Sequence, residues 1–128
     1  MKPNKTTHKL PVWLFDGKPE YVDVKVASAS STEGGYIIAL ALADGTIRLA
    51  ATRHPGKYVT AWRHNVKRYG LLDVNRVLVS KPYIRYEAVK RSLASQISEY
   101  RDEESGGYRL AVNTLTEKAR AMLADAGI

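Results

Sequence analysis

Residues 36–52, YIIALALADGTIRLAAT, decide how this chain folds. Two apolar runs flank Asp44-Gly45, and an Asp-Gly pair supplies the positive φ angles of a tight two-residue hairpin turn. Side chains alternate along a strand, so Tyr36, Ile38, Leu40 and Leu42 share one face and Ala39, Ala41 and Ala43 the other. A strand face of alanines lets another element approach closely. After the hairpin, Pro55 and Gly56 break the chain, and the spacing predicts a helix over 57–69. Val59, Trp62, Val66 and Tyr69 fall on its apolar face, while Lys57, Arg63, His64, Lys67 and Arg68 fall on the opposite one. Gly70 follows as a helix-ending glycine.

The flanks fill in around this centre. Upstream, PVWLF and YVDVKVA bracket DGKPE, and the alternation of Val22, Val24 and Val26 with Asp23 and Lys25 predicts a second hairpin. The polar stretch SASSTEGG, 28–35, joins that N-terminal hairpin extension (1–33) to the main body (34–128) within one compact domain. Downstream, LLDVNRVLVS is a third strand. Lys81-Pro82 then turns the chain into a helix over about 83–101, with Tyr86, Val89, Leu93, Ile97 and Tyr100 as its buried stripe. RDEESGG is a solvated loop and YRLAV a short strand. Thr114 to Glu117 reads as a capping box opening a last helix that ends before Gly127. The expected architecture is α/β (α+β): a small central antiparallel sheet flanked by helices, with an added N-terminal β-hairpin.

The chain has 128 residues, enough for one domain with a real core. No apolar run approaches the roughly 18 residues of a membrane span, and MKPNKTTHKL lacks the apolar centre of a signal peptide. The absence of cysteine excludes disulfides, thiolate-bound metals and a thiol nucleophile, and fits a cytoplasmic address. The net charge of +7 is uneven. From Thr46 to Arg91 there are eleven Lys or Arg against Asp73 and Glu87, whereas the remainder carries nine bases and eleven acids. Positive charge gathered in one third of a chain is the footprint of a polyanion partner, most often nucleic acid.

Phosphate-loop, dinucleotide and HExxH motifs are absent, and the three histidines are scattered. Gly35-Tyr36-Ile37-Ile38, then Arg48-Leu49-Ala50-Ala51-Thr52-Arg53-His54-Pro55-Gly56-Lys57-Tyr58, then Glu87 in YEAVKRSL, follow in an order that resembles the GIY-YIG nuclease superfamily, in its phage and bacterial branch. Gly107-Tyr108-Arg109-Leu110 and the helix after it are similar to that branch's closing strand and helix, so the resemblance covers about 34–126. It implies a GIY-YIG-like fold. It also implies catalysis by a tyrosine in each hairpin strand, an arginine early in the first helix, and a metal-holding glutamate on the second. On this alignment Tyr36 stands at the first signature, or Ile38 in the alternative register, and Glu87 at the glutamate. The second tyrosine position falls on Ile47 or Arg48, its glycine on Ala50, and the arginine position on Tyr58. Losing one electrostatic partner of this kind costs on the order of 10²–10³ in rate.

The leading reading is therefore a nucleic-acid-binding domain, for duplex DNA, with an impaired nuclease site and no required cofactor. Its contacts would come from Arg48, Arg53, His54, Lys57, Tyr58, Arg63, His64, Lys67 and Arg68. A second reading is a divergent endonuclease using Tyr36, Glu87 and a relocated arginine with Mg²⁺ or Mn²⁺ held by Glu87. A third is a phage-type inhibitor of a host nuclease or defence complex. In that reading the docking surface for the host protein is an N-terminal hairpin exposing Trp13 and Phe15. Glu87 also has a plain structural role open to it, in the first turn of its helix with an i,i+4 partner in Arg91.

Overall fold

A computed structural model of the chain describes residues 12–125, with side chains as far as Met122. Residues 1–11, which hold the first part of the expected extension and the MKPNKTTHKL segment, and 126–128, with Gly127, lie outside it. The elements are β1 (Trp13–Gly17), a 3-10 turn (Pro19–Tyr21), α1 (Val22–Lys25), β2 (Tyr36–Leu42), β3 (Ile47–Thr52), α2 (Pro55–Tyr69), β4 (Val74–Ser80), α3 (Tyr86–Gln96), a second 3-10 turn (Ser98–Tyr100) and α4 (Val112–Asp125). The strands form one antiparallel sheet in the order β1-β4-β2-β3. The fold is α+β, a small antiparallel sheet between helices. No helix among the described residues is long and apolar enough to cross a membrane.

β2 and β3 are joined by a three-residue loop, 43–45, rather than the expected two-residue turn: the Gly45 N–H donates to the Leu42 carbonyl at 3.0 Å, the Leu42 N–H donates to the Thr46 carbonyl at 2.8 Å, and Gly45 supplies the positive φ. Asp44 Oδ1 accepts hydrogen bonds from the Thr46 N–H at 2.9 Å and the Thr46 hydroxyl at 2.6 Å, which hold the Asp44 carboxyl below its usual pKa. β2 is buried on both faces. Ile38 and Leu40 point with Val77 and Val79 toward α1 and α2, where Val22, Val59 and the half-buried Trp62 cover them. Ile37 and Ala39 point with Leu78 toward α3 and α4, beneath Leu93, Ile97, Leu115 and Ala119. The small Ala39, fully buried, fits the close approach expected on that face. The buried Ser80 hydroxyl accepts a hydrogen bond from the Ile37 N–H at 2.9 Å and donates one to the Lys81 carbonyl at 2.8 Å.

The N-terminal hairpin does not form. β1 pairs with β4 instead, as the outer strand of the main sheet, and its intended partner begins as a helical turn. The valines explain why. In a strand Val22, Val24 and Val26 share a face, but in a helical turn only Val22 and Val26 do. Val22 and Val26 are buried and Val24 is 79% exposed. Pro19 opens the preceding 3-10 turn, where a residue without an N–H fits. Trp13 and Phe15, expected on an exposed docking surface, are half-buried. A bulge between them sends Trp13 toward α4, where its indole N–H donates to Thr116 Oγ1 at 2.9 Å, and Phe15 toward the opposite layer.

Three smaller expectations also shift. Tyr108 makes isolated bridges to Ile47 and Arg101, and YRLAV forms no strand. α4 starts at Val112, so Thr114 lies inside its first turn rather than capping it, and Glu117 lies 3.7 Å from Arg120. The helix expected over 83–101 stops at Gln96 and tightens into the second 3-10 turn, although the stripe from Tyr86 to Tyr100 faces the core as predicted.

The start of α3 is pressed against the start of β2 through Gly34 and Gly35. Gly35 exchanges both backbone hydrogen bonds with Tyr83, at 3.0 and 2.8 Å, and a Cβ at Gly35 would lie 2.7 Å from the Tyr86 ring. Gly34 has φ +91°, and a Cβ there would strike the Tyr83 carbonyl. Gly45 has a similar φ of +87° in open space. Gly45→Ala should therefore cost only the backbone term of about 1–2 kcal/mol. Gly34→Ala should cost roughly 1–3 kcal/mol more from overpacking. Urea unfolding of the two variants checks the difference; equal losses would mean that the α3–β2 approach is loose.

Candidate nucleic-acid interface

α2 displays the cations as its periodicity requires. Val59 is buried, Trp62 and Val66 are half-buried, and the Trp62 indole N–H donates to the Leu72 carbonyl at 2.8 Å, fixing the helix to the chain beyond it. With that side held against the sheet, Lys57, Arg63, His64, Lys67 and Arg68 are all exposed. None of them is in an ion pair among the described residues. A groove of about 500 Å³ runs between Asp23, Lys57 and His64, and another of about 250 Å³ between Arg63, Lys67 and Asp73. Tyr69, expected in the core, is 67% exposed. It sits on the last turn before Gly70, beside the exposed Leu71 and Leu72, and the Arg68 guanidinium lies 5.7 Å from its ring centroid.

The other predicted contacts do not lie on this face. Arg53 donates through Nη2 to the Ala29 carbonyl at 3.3 Å, and His54 Nδ1 is 2.9 Å from the Ser28 hydroxyl, so both tie the 28–30 loop to the start of α2. Arg48 lies at the edge of the sheet under α2. Its guanidinium is 5.4 Å from the Trp62 ring centroid, and Nη2 donates to the Ser105 carbonyl at 2.9 Å. Tyr58 is half-buried in the same layer. Burial pushes its phenol pKa up, with the Arg48 charge opposing.

The structure does not bring Tyr36 and Glu87 together. Tyr36 is buried on the α1/α2 side of β2 and donates from Oη to the Ala27 carbonyl at 2.9 Å. Burial, and then the Glu33 carboxylate, push its pKa above 10.0, which keeps the phenol protonated at neutral pH. Ile38, the alternative at that signature, points the same way. Glu87 is exposed in the first turn of α3, which covers the opposite face of the sheet. Its anticipated pair with Arg91 is not made. Among the described residues, no group of three or more His, Cys, Asp or Glu is placed to hold a metal ion.

Sequence reasoning missed one convergence. Lys90 of α3 and Arg101, after the second 3-10 turn, meet Arg48 around a cleft at the outer edge of β3. Lys90 and Arg48 both lie in the basic third of the chain, but no spacing pattern links residues so far apart.

Set against known protein families, curated proteins and solved structures, the chain matches none.

The positions of Tyr36 and Glu87 predict opposite responses to mutation. Tyr36→Phe leaves the Ala27 carbonyl without its donor and should cost about 0.5–1.5 kcal/mol in urea unfolding. Glu87→Ala, at an exposed site without a partner, should change stability by less than about 0.5 kcal/mol.

Proposed function

We propose that this protein is a nucleic-acid-binding domain that takes duplex DNA on the outward face of α2. One observation carries the reading: Lys57, Arg63, His64, Lys67 and Arg68 line the exposed side of one helix, none in an ion pair among the described residues. A helix surface of this kind suits phosphate oxygens, whose contacts give affinity and orientation with little sequence preference. The succession of hairpin, basic helix, third strand and helix opening near a glutamate supports a GIY-YIG-like origin. In this reading the nuclease chemistry is impaired. Tyr36 is buried and protonated on one side of the sheet, Glu87 is exposed on the other, and Tyr58 stands where a guanidinium is needed.

Parent protein should shift a duplex oligonucleotide in a gel, with affinity falling steeply as salt rises. Replacing Lys57, Arg63, Lys67 and Arg68 together by glutamine should abolish the shift. Single replacements should each flatten the slope of log affinity against log salt by about 0.9. A quadruple variant that binds like the parent would leave this face as a solvated surface only. Supercoiled plasmid incubated with Mg²⁺ or Mn²⁺ should stay intact; nicking that disappears in Glu87→Ala would instead identify a metal-dependent endonuclease.

A further inference from the structure

The cleft at the outer edge of β3 has a volume of about 230 Å³ and is lined by Arg48, Leu49, Lys90, Arg101, Gly106 and Tyr108. Its cations come from β3, from α3 and from the end of the second 3-10 turn, so the tertiary fold alone brings them together. None of the three is in an ion pair among the described residues. The adjoining loop carries three acids: Asp102 accepts from Arg109 Nη2 and from the Ser105 hydroxyl, each at 3.0 Å, while Glu103 and Glu104 are exposed and form no ion pair with the cleft cations. Like charges that converge without a counter-ion repel one another, and a bound anion removes that cost.

Two further donors lie on residues that line the cleft. Arg48 is held by the Trp62 ring and the Ser105 carbonyl, yet its Nε is buried with no hydrogen-bond partner. A buried donor without an acceptor is rare enough to require an explanation. The second donor is backbone. Ile47 uses its N–H and C=O on the outer edge of β3 to pair with Tyr108, at 2.7 and 2.8 Å. In an antiparallel ladder the outward-facing groups recur every second residue, so the next N–H on that edge belongs to Leu49, at the cleft.

We propose that this cleft is a binding site for a phosphoryl dianion, separate from the α2 face. The space is smaller than the roughly 300–1,000 Å³ of pockets for drug-sized ligands, and suits a compact oxyanion. A phosphomonoester brings a charge of about −1.5 to −2 and three strong acceptor oxygens, which matches several converging cations better than a single carboxylate does. Two sources share this chemistry: free phosphate with small phosphorylated molecules, and the terminal phosphate of a nucleic-acid strand.

The test is an NMR titration of ¹⁵N-labelled full-length protein with inorganic phosphate, against chloride at matched ionic strength. Phosphate should move the Leu49, Gly106 and Tyr108 amides saturably, and chloride should not. Lys90→Gln and Arg101→Gln, singly, should each weaken the phosphate response by about tenfold at unchanged Tm. The quadruple α2 variant should keep the response, so loss of DNA binding and loss of this site are told apart. Equal shifts with chloride and phosphate, or undiminished phosphate affinity in both cleft variants, would overturn the proposal. A duplex with 5′-phosphate ends that outcompetes its 5′-hydroxyl twin, in the parent but not in the cleft variants, assigns the site to strand ends. Equal binding of the two duplexes alongside a retained phosphate response assigns it to free phosphate.

Discussion

A strand buried on both faces needs a layer of helix on each side, and β2 is such a strand. Ile37 packs under α3 and α4 while Ile38 and Leu40 pack under α1 and α2. Each of these side chains, fully withdrawn from water, contributes roughly 1.5–3 kcal/mol. That requirement fixes the rest of the layout. α2 must turn Val59 and Trp62 inward, and a helix that does so has only its other side for its cations. α3 must cover the opposite face, so Glu87 and Tyr36 are kept apart by the thickness of the sheet. Gly34 and Gly35 let α3 begin against β2 without displacing either.

The positive charge is therefore held in two different electrostatic settings. On α2 it stands in water, where each cation costs little to maintain and its attraction for a phosphate is screened within about 8–10 Å at ordinary salt. At the edge of β3 three cations line one partly open polar cleft, so their attraction for an anion is shared and geometry matters more. Arg48 belongs to the second setting while touching the first through the Trp62 ring. A guanidinium suits that place because it stacks on an aromatic face with its plane while its edge still donates hydrogen bonds.

What the sequence discloses is what its local periodicity determines. The hairpin over 36–52, the basic helix ending at Gly70 and the stripe from Tyr86 to Tyr100 each carry their evidence within one element. Val22, Val24 and Val26 fit a strand or a helical turn equally well until a partner strand is present, and β1 found its partner in β4, more than sixty positions on. The exposure of Tyr69 was hidden for a similar reason: helical phase places it on the apolar face, but nothing in the phase says whether the sheet extends beneath the last turn. The cleft was the least legible feature, since Arg48, Lys90 and Arg101 are adjacent only after the sheet and α3 have assembled.

Arg48 occupies one of the two places that the GIY-YIG resemblance assigns to the second signature tyrosine, and a guanidinium there differs in chemistry from a phenol. A phenol can donate and accept a hydrogen bond and, when its pKa is lowered, take a proton from water. A guanidinium donates only and stays charged at any neutral pH, so it neutralises a phosphate but cannot activate the water that would attack it. The phenols that remain in this layer, Tyr36 and Tyr58, have their pKa values pushed up by burial, which moves them away from a basic role. Tyr58, which the resemblance aligns with the arginine position, is half-buried beside Arg48. The layer holds one fixed cation and two protonated phenols, groups that can donate to an anion but are poorly placed to take a proton from water.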